Sequence, residues 1–257
     1  MAEALVRGVL NSNAIPASRI LASDVSTERR GYFKEQLGVS ATEDNAAVVA
    51  ASDILVLCVK PQQVDDLLKQ IAPAFKTERH ILSSICAGVT TARLEKPLPA
   101  GARTIRVMPN TPMLVGLGAS CLCAGKNAGD ADLGVIEALF SSASLTLRVE
   151  ENMMDAVTGL SGSGPAYLFY LVEAMVDAGI AEGFSREDAT LLASRTVLGA
   201  AKMLEETKLP PEELRKRVTS PNGTTQAAVE RLDADAVKTK LTLAVRRAAE
   251  RSRELGK

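Results

Sequence analysis

Histidine is nearly missing: His80 is the only one in 257 residues. A Ser-His-Asp triad or a histidine-ligated metal would have to use that residue. It precedes an apolar run and reads as a surface position at a strand entrance. Tryptophan is absent and aromatics make up 3%, which leaves few stacking platforms for bases or sugars. The core must then be built from Ala, Val, Leu and Ile. The four cysteines, Cys58, Cys86, Cys121 and Cys123, all lie in apolar, strand-like runs. That placement suits reduced, buried thiols in a cytoplasmic protein better than a Cys-x-Cys metal site. Neither sign of charge is in excess, with 30 basic and 31 acidic residues, so no basic footprint for nucleic acid is present. No run approaches the ~18 apolar residues of a membrane span. The start, Met1-Ala2-Glu3-Ala4, lacks the basic-then-apolar order of a secretory signal. These shortages remove most hydrolytic and metal chemistries and point to a reaction carried by a cofactor.

What is present falls into two patterns. Through residue 150, strand-like and helix-like segments alternate. Residues 1–10 read as a helix, 19–24 as a short strand, and 27–37 as a helix stopped by Gly38. Another short helix opens at Thr42-Glu43-Asp44 and runs to about Ala51. Residues 54–59, 80–85, 104–108, 119–124 and 145–149 are apolar runs of strand length, with a helix over 130–142. Continuous apolar runs suit parallel strands buried on both faces. The alternation predicts a doubly wound α/β domain over residues 1–150. Beyond it the strand signals stop: 166–181, 186–206 and 235–255 read as helices, giving an all-α domain over 151–257. The apolar helix 166–181 is too short to span a bilayer and is expected in a core or an interface.

In a doubly wound sheet, ligands bind beyond the carboxyl ends of the strands. Here those ends carry Ser23-Asp24, Val59-Lys60-Pro61, Cys86-Ala87-Gly88 and Met108-Pro109-Asn110-Thr111-Pro112. Each alone is ordinary turn chemistry, but four in succession favour a ligand groove. The turn Gly-x-Gly-x-x-Gly, which holds pyrophosphate, is missing. Residues 1–5 read as the body of the helix that such a turn would open, so residues upstream of Met1 are expected. Two loops stand out in the α domain. Gly159-Leu160-Ser161-Gly162-Ser163-Gly164-Pro165 permits close backbone approach, or is a tight helix-to-helix turn. Val218-Thr219-Ser220-Pro221-Asn222-Gly223-Thr224-Thr225 places hydroxyls and N–H groups at a helix start, where a carboxylate could be held.

These motifs in this order, with Arg106-Val107-Met108 and Asp155-Ala156-Val157-Thr158 beside them, resemble the Δ1-pyrroline-5-carboxylate reductases over essentially the whole chain. The resemblance implies a Rossmann-like domain without its first strand, an all-α dimerisation domain, and reduction of 1-pyrroline-5-carboxylate to L-proline by NADPH or NADH. It places Ser23 and Asn45 at the adenosine side of the cofactor, Val59, Lys60 and Pro61 along its ribose and diphosphate, and Ala87, Gly88 and Asn110 near the nicotinamide. Glu151, Ser220, Gly223, Thr224 and Thr225 fall to the substrate, with Thr225 as the catalytic candidate that orients the imine. Arg217 stands where the family often has Asn. No metal is required, and a cytoplasmic homodimer, or a larger ring of dimers, is implied.

Cofactor choice stays open at this level: Asp24 suits the 2′-hydroxyl of NADH, whereas Arg29 and Arg30 could hold a 2′-phosphate. Another imine reductase or a 3-hydroxyacid dehydrogenase-like enzyme shares the layout. Such relatives often use a lysine or aspartate of the α domain, but Lys202, on a helix among Ala and Met, reads as a packing position with a snorkelling stem. A truncated, non-catalytic relative is the other alternative.

Overall fold

Two sheets organise the first part of the chain in this computed structural model, which describes residues 1–256. Helix α1 (Ala2–Asn11) leads into β1 (Leu21–Ser23), α2 (Thr27–Leu37), β2 (Ser40–Thr42) and α3 (Asn45–Ala51). Gly38 ends α2 in the left-handed region at φ +65°, as expected of a C-terminal glycine. Strands β1 and β2 pair in parallel as a small sheet of their own. β3 (Ile54–Leu57), α4 (Val64–Ile71), β4 (Ile81–Ser84), α5 (Thr91–Glu95), β5 (Arg103–Met108), β6 (Gly118–Ala124), α6 (Asp130–Ser141) and β7 (Ser144–Arg148) follow. Their five strands form a second sheet in sequence order.

Through β3, β4 and β5 the five-stranded sheet is covered on both faces, and its strands alternate sides, whereas the edge strand β7 exposes Leu145 and Leu147. Leu55, Leu57 and Leu82 join Val64, Leu68 and Ile71 of α4 in one cluster. Ile54, Val56, Ile81 and Ile105 pack with Ile136 and Phe140 of α6 in the other. This is the period-two signature of a sheet covered by helices on both sides. Helix α1 links the two sheets by its own period: Ala4, Leu5 and Val9 enter the second cluster, while Val6 and Leu10 pack on Phe33, Leu37 and Val39.

Three expectations change. The sheet is not wholly parallel, because β5 and β6 run antiparallel. Only nine residues separate Met108 from Gly118, too few for a parallel crossover. Residues 40–42 form β2, so Thr42, expected to open a helix, instead ends a strand, and α3 starts at Asn45 with Asp44 as its N-cap. His80 does stand at a strand entrance, but it is buried, 1% exposed. A turn closing on the Lys76 carbonyl folds it against Phe75, and the Lys76 N–H donates to its Nδ1 (3.0 Å).

Beyond β7 lie α7 (Met154–Val157), a π-helical turn at Thr158–Gly162, α8 (Gly164–Ala181), α9 (Arg186–Thr207), α10 (Pro211–Arg217), α11 (Thr224–Ala234) and α12 (Val237–Leu255). The presumed Gly159–Pro165 loop is therefore largely helical. By chain contact the protein divides into one unit of Met1–Ser163 with Arg246–Lys257, and another of Gly164–Val245. Contact thus groups the π turn and the end of α12 with the strand-containing unit. In the second unit α8 packs on α9 around Val176, Ala189 and Ala193. Among the described residues, no helix is long and apolar enough to cross a membrane.

Candidate active site

The carboxyl ends of β3, β4 and β5 lie side by side, because Leu57 pairs with Ser84 and Ser84 with Arg106. The segments that follow therefore emerge along one sheet edge. After β3, Val59 accepts a hydrogen bond from the Cys86 thiol (3.1 Å), and Pro61 opens a short 3₁₀ turn. Lys60 is exposed and makes no ion pair among the described residues. After β4, Ala87 and Gly88 form a tight turn in which Gly88 has φ +75°. A Cβ there would also lie 2.8 Å from the Ser252 carbonyl oxygen, so two constraints keep this position glycine. At the smaller sheet, Ser23 Oγ–H donates to Asn45 Oδ1 (2.8 Å), and Asn45 Nδ2–H donates to Gln70 of α4 (3.1 Å).

Asn110 and Glu151, like Ser23 and Asn45, are engaged by the chain itself. The Asn110 side chain donates to the Ser161 carbonyl (3.1 Å) and accepts from the Ala119 N–H (2.9 Å), so it braces the turn after β5 against the π turn. Gly162 belongs to the same contact: a Cβ there would collide with the Met108 methyl group. Glu151 accepts from buried Arg106 (2.7 Å) and from the Thr91 hydroxyl (2.5 Å). Arg106 also reaches Asp155 (3.5 Å), which accepts from Ser252 (2.6 Å).

This network joins β5, the start of α5 and the last turns of α12 around the Ala87–Gly88 turn. Arg106 is 2% exposed, and its charge is tolerable there only because two carboxylates accompany it. The sequence reading quoted Arg106 in a motif but gave it no role. A charged residue inside an apolar strand is the signal that could have flagged it. Burial, then the nearby Glu151 charge, pushes the Cys123 thiol up to about 12, so this cysteine is an inert neighbour and not a nucleophile.

In the second unit, Ser220, Gly223, Thr224 and Thr225 come together at the start of α11. Asn222 adopts φ +56° to turn the chain into the helix, and Gly223 is its N-cap. The Gly223 N–H is spent on the Ser220 carbonyl (3.0 Å), which corrects the expectation that it is free for a carboxylate. The first helical bond runs from Ala227 to Gly223 (3.2 Å). The N–H groups of Thr224, Thr225 and Gln226 therefore have no acceptor within the helix and form the anion-facing set. Thr225 is half-buried and Thr224 exposed. Gln226 was missed by the sequence reading; its side chain accepts from the Asn222 N–H (2.8 Å) and fixes the loop. Lys202 is not a packing position: it is exposed and paired with Glu205 (2.9 Å) and Glu206 (3.6 Å).

The donors of the first unit fit a dinucleotide. In this unit stand a hydroxyl and an amide at Ser23 and Asn45, the Asp24 carboxylate, the exposed Lys60 ammonium and the small-residue turn Ala87–Gly88, groups of the kind that ribose, diphosphate and a flat ring require. Among the described residues no glycine-rich turn precedes α1. None of their His, Cys, Asp and Glu side chains form a group able to hold a metal ion.

Comparison with known proteins agrees with this arrangement. Residues 151–255 match the family described as pyrroline-5-carboxylate reductase dimerisation, and residues 1–88 match NADP oxidoreductase coenzyme F420-dependent. A pyrroline-5-carboxylate reductase of Methanosarcina acetivorans is 42% identical over 257 residues, covering all of this chain and 95% of that protein. The solved enzyme of Coxiella burnetii superposes with a TM-score of 0.91 at 35% identity, covering 100% of this chain and 95% of that one. The Plasmodium falciparum pyrroline carboxylate reductase, solved with NADP bound, gives 0.89 at 30% identity over 99% of this chain and 94% of its own. With full-length identity above that of chance and the same two-part architecture, this chain belongs to the pyrroline-5-carboxylate reductase family.

Proposed function

We propose that this protein reduces 1-pyrroline-5-carboxylate to L-proline, using NADPH or NADH. The observation that carries the reading is the full-length identity to reductases of this name, with the dimerisation family matched over residues 151–255. When bound, the cofactor supplies a hydride to the C=N carbon. Ser23 and Asn45 contact its adenosine side, Val59, Lys60 and Pro61 its ribose and diphosphate, and Ala87 and Gly88 its nicotinamide end. Asn110 supports that end by holding the turn after β5.

The helix-start N–H groups of Thr224, Thr225 and Gln226 receive the substrate carboxylate together with the Ser220 hydroxyl, and Gly223, as the N-cap, shapes the loop that presents them. The Thr225 hydroxyl orients the ring nitrogen. A hydroxyl is a weak acid, so orientation outweighs proton donation in its role. Glu151 acts through Arg106 and Thr91. Residues 1–150 form the cofactor domain and 151–257 the substrate and dimerisation domain.

The same proposal includes a cytoplasmic homodimer. Four free thiols suit a reducing compartment. Leu168, Phe169, Tyr170 and Leu171 of α8 are exposed in the protomer, more apolar surface than a lone chain carries comfortably. A ring of such dimers would appear as a larger species in light scattering. The test is cofactor oxidation by the purified chain on addition of 1-pyrroline-5-carboxylate, with proline formed in equal amount. Turnover of a 3-hydroxy acid in its place, with none of the imine, would contradict the reading.

A further inference from the structure

We infer that the cofactor site selects NADH over NADPH and that Asp24 sets the choice. The inference rests on the cofactor reading above and narrows it to one of two nucleotides. Asp24 directly follows β1, and its N–H is tied to the Thr42 carbonyl (3.1 Å). Its Oδ1 accepts from the Ser26 N–H (2.8 Å), which leaves Oδ2 without a hydrogen-bond partner among the described residues. A carboxylate fixed at this strand end accepts hydrogen bonds from the ribose hydroxyls, whereas it repels a phosphate on the 2′ oxygen.

A 2′-phosphate would need a compensating cation, and both nearby arginines already hold partners in the chain, Arg30 within this loop and on Glu43, Arg29 on Glu3. Arg30 donates to the carbonyls of Asp24 (2.8 Å) and Val25 (3.1 Å) and to Thr27 Oγ1 (3.0 Å), and pairs with Glu43 (3.3 Å). Its role is to close the β1–α2 loop. Arg29 is bonded to Glu3 (3.1 Å) and lies over the Tyr32 ring, 4.7 Å from its centroid. The residue at the tip of the loop, Val25, is 90% exposed and carries no charge. Between Ser23 and Asn45 acidic residues outnumber basic ones five to three, so the surroundings add to the repulsion.

Titration calorimetry with ADP-ribose and 2′-phospho-ADP-ribose reads this choice without turnover. The native chain is expected to bind ADP-ribose at least about tenfold more tightly. Asp24→Asn keeps the acceptor for Ser26 and removes only the charge, and should shrink that ratio by about tenfold. Tighter binding of the 2′-phosphorylated nucleotide by the native chain, or an unchanged ratio in Asp24→Asn, would overturn the inference. The predicted selectivity without imine reduction would uphold this nucleotide preference while sinking the functional reading. Failure to bind either nucleotide would overturn both.

Discussion

The first unit surrounds its two sheets with three hydrophobic clusters, whereas the second fully buries few apolar residues, Val176, Ala189 and Ala193. Leu168, Phe169, Tyr170, Leu191 and Leu192 of the second remain exposed. The first also closes its interior charge, matching Arg106 with Glu151 and Asp155. The second keeps its ion pairs on the surface, as Lys202 and Arg217 show. A β-sheet satisfies both faces with helices of the same chain, while an amphipathic helix pair leaves a face over. The contrast is between a unit built around sheets that buries several apolar clusters within one chain and a helical unit whose α8 and α9 leave the apolar surface that the proposed dimer would cover.

Arg106→Met tests that contrast with the largest expected effect. It strands two carboxylates, and unfolding free energy should fall by about 3–5 kcal/mol. Urea denaturation should show the loss at every protein concentration; a loss below about 1 kcal/mol would show that the network contributes little. Phe169→Glu, by contrast, should raise the dimer dissociation constant at least about thirtyfold. Analytical ultracentrifugation would reveal the monomer, and an unchanged dimer would remove α8 from the interface.

A smaller and more local effect is expected at Thr225. Thr225→Ala should slow turnover by about tenfold to a hundredfold, the loss of one oriented hydrogen bond of ~1–3 kcal/mol, with cofactor affinity unchanged. Equal weakening of both would assign Thr225 to folding of the loop.

The smallest effect belongs to His80. Burial, then the Arg79 charge, holds its imidazole below the ordinary value, and the Lys76 N–H needs an unprotonated Nδ1. As pH falls through the ordinary histidine range, the unfolded chain takes up this proton before the folded one does. Stability is therefore full above that range and declines on acidification toward the folded value. His80→Gln should flatten the acid limb of a stability-against-pH curve. The single imidazole makes the titration directly readable by NMR, and a midpoint at or above the ordinary value would refute the account.

Much of the fold was legible because it rests on local signals. The apolar runs at 54–59 and 104–108 and the Gly38 stop announce themselves in the sequence. Strand β2 does not: Ser40-Ala41-Thr42 has little intrinsic strand character and is held by pairing with β1. The burial of His80 was hidden for the same reason, since it depends on a turn back onto Phe75. At the site, motif residues marked positions but not allegiances. Asn110 and Glu151 stand in the expected segments, yet their polar atoms answer to Ser161, Ala119, Arg106 and Thr91, partners 9 to 60 residues away. Gln226 entered the loop through a hydrogen bond that only the turned backbone creates.

The central claim is that the protein moves a hydride from NAD(P)H to the imine carbon of 1-pyrroline-5-carboxylate. Reaction with cofactor carrying deuterium at C4 of the reduced nicotinamide tests it most directly, with the proline analysed by NMR. The account predicts deuterium at the ring carbon next to nitrogen and remote from the carboxylate. Proline formed without the label there, or no proline from a folded, cofactor-binding dimer, would contradict it.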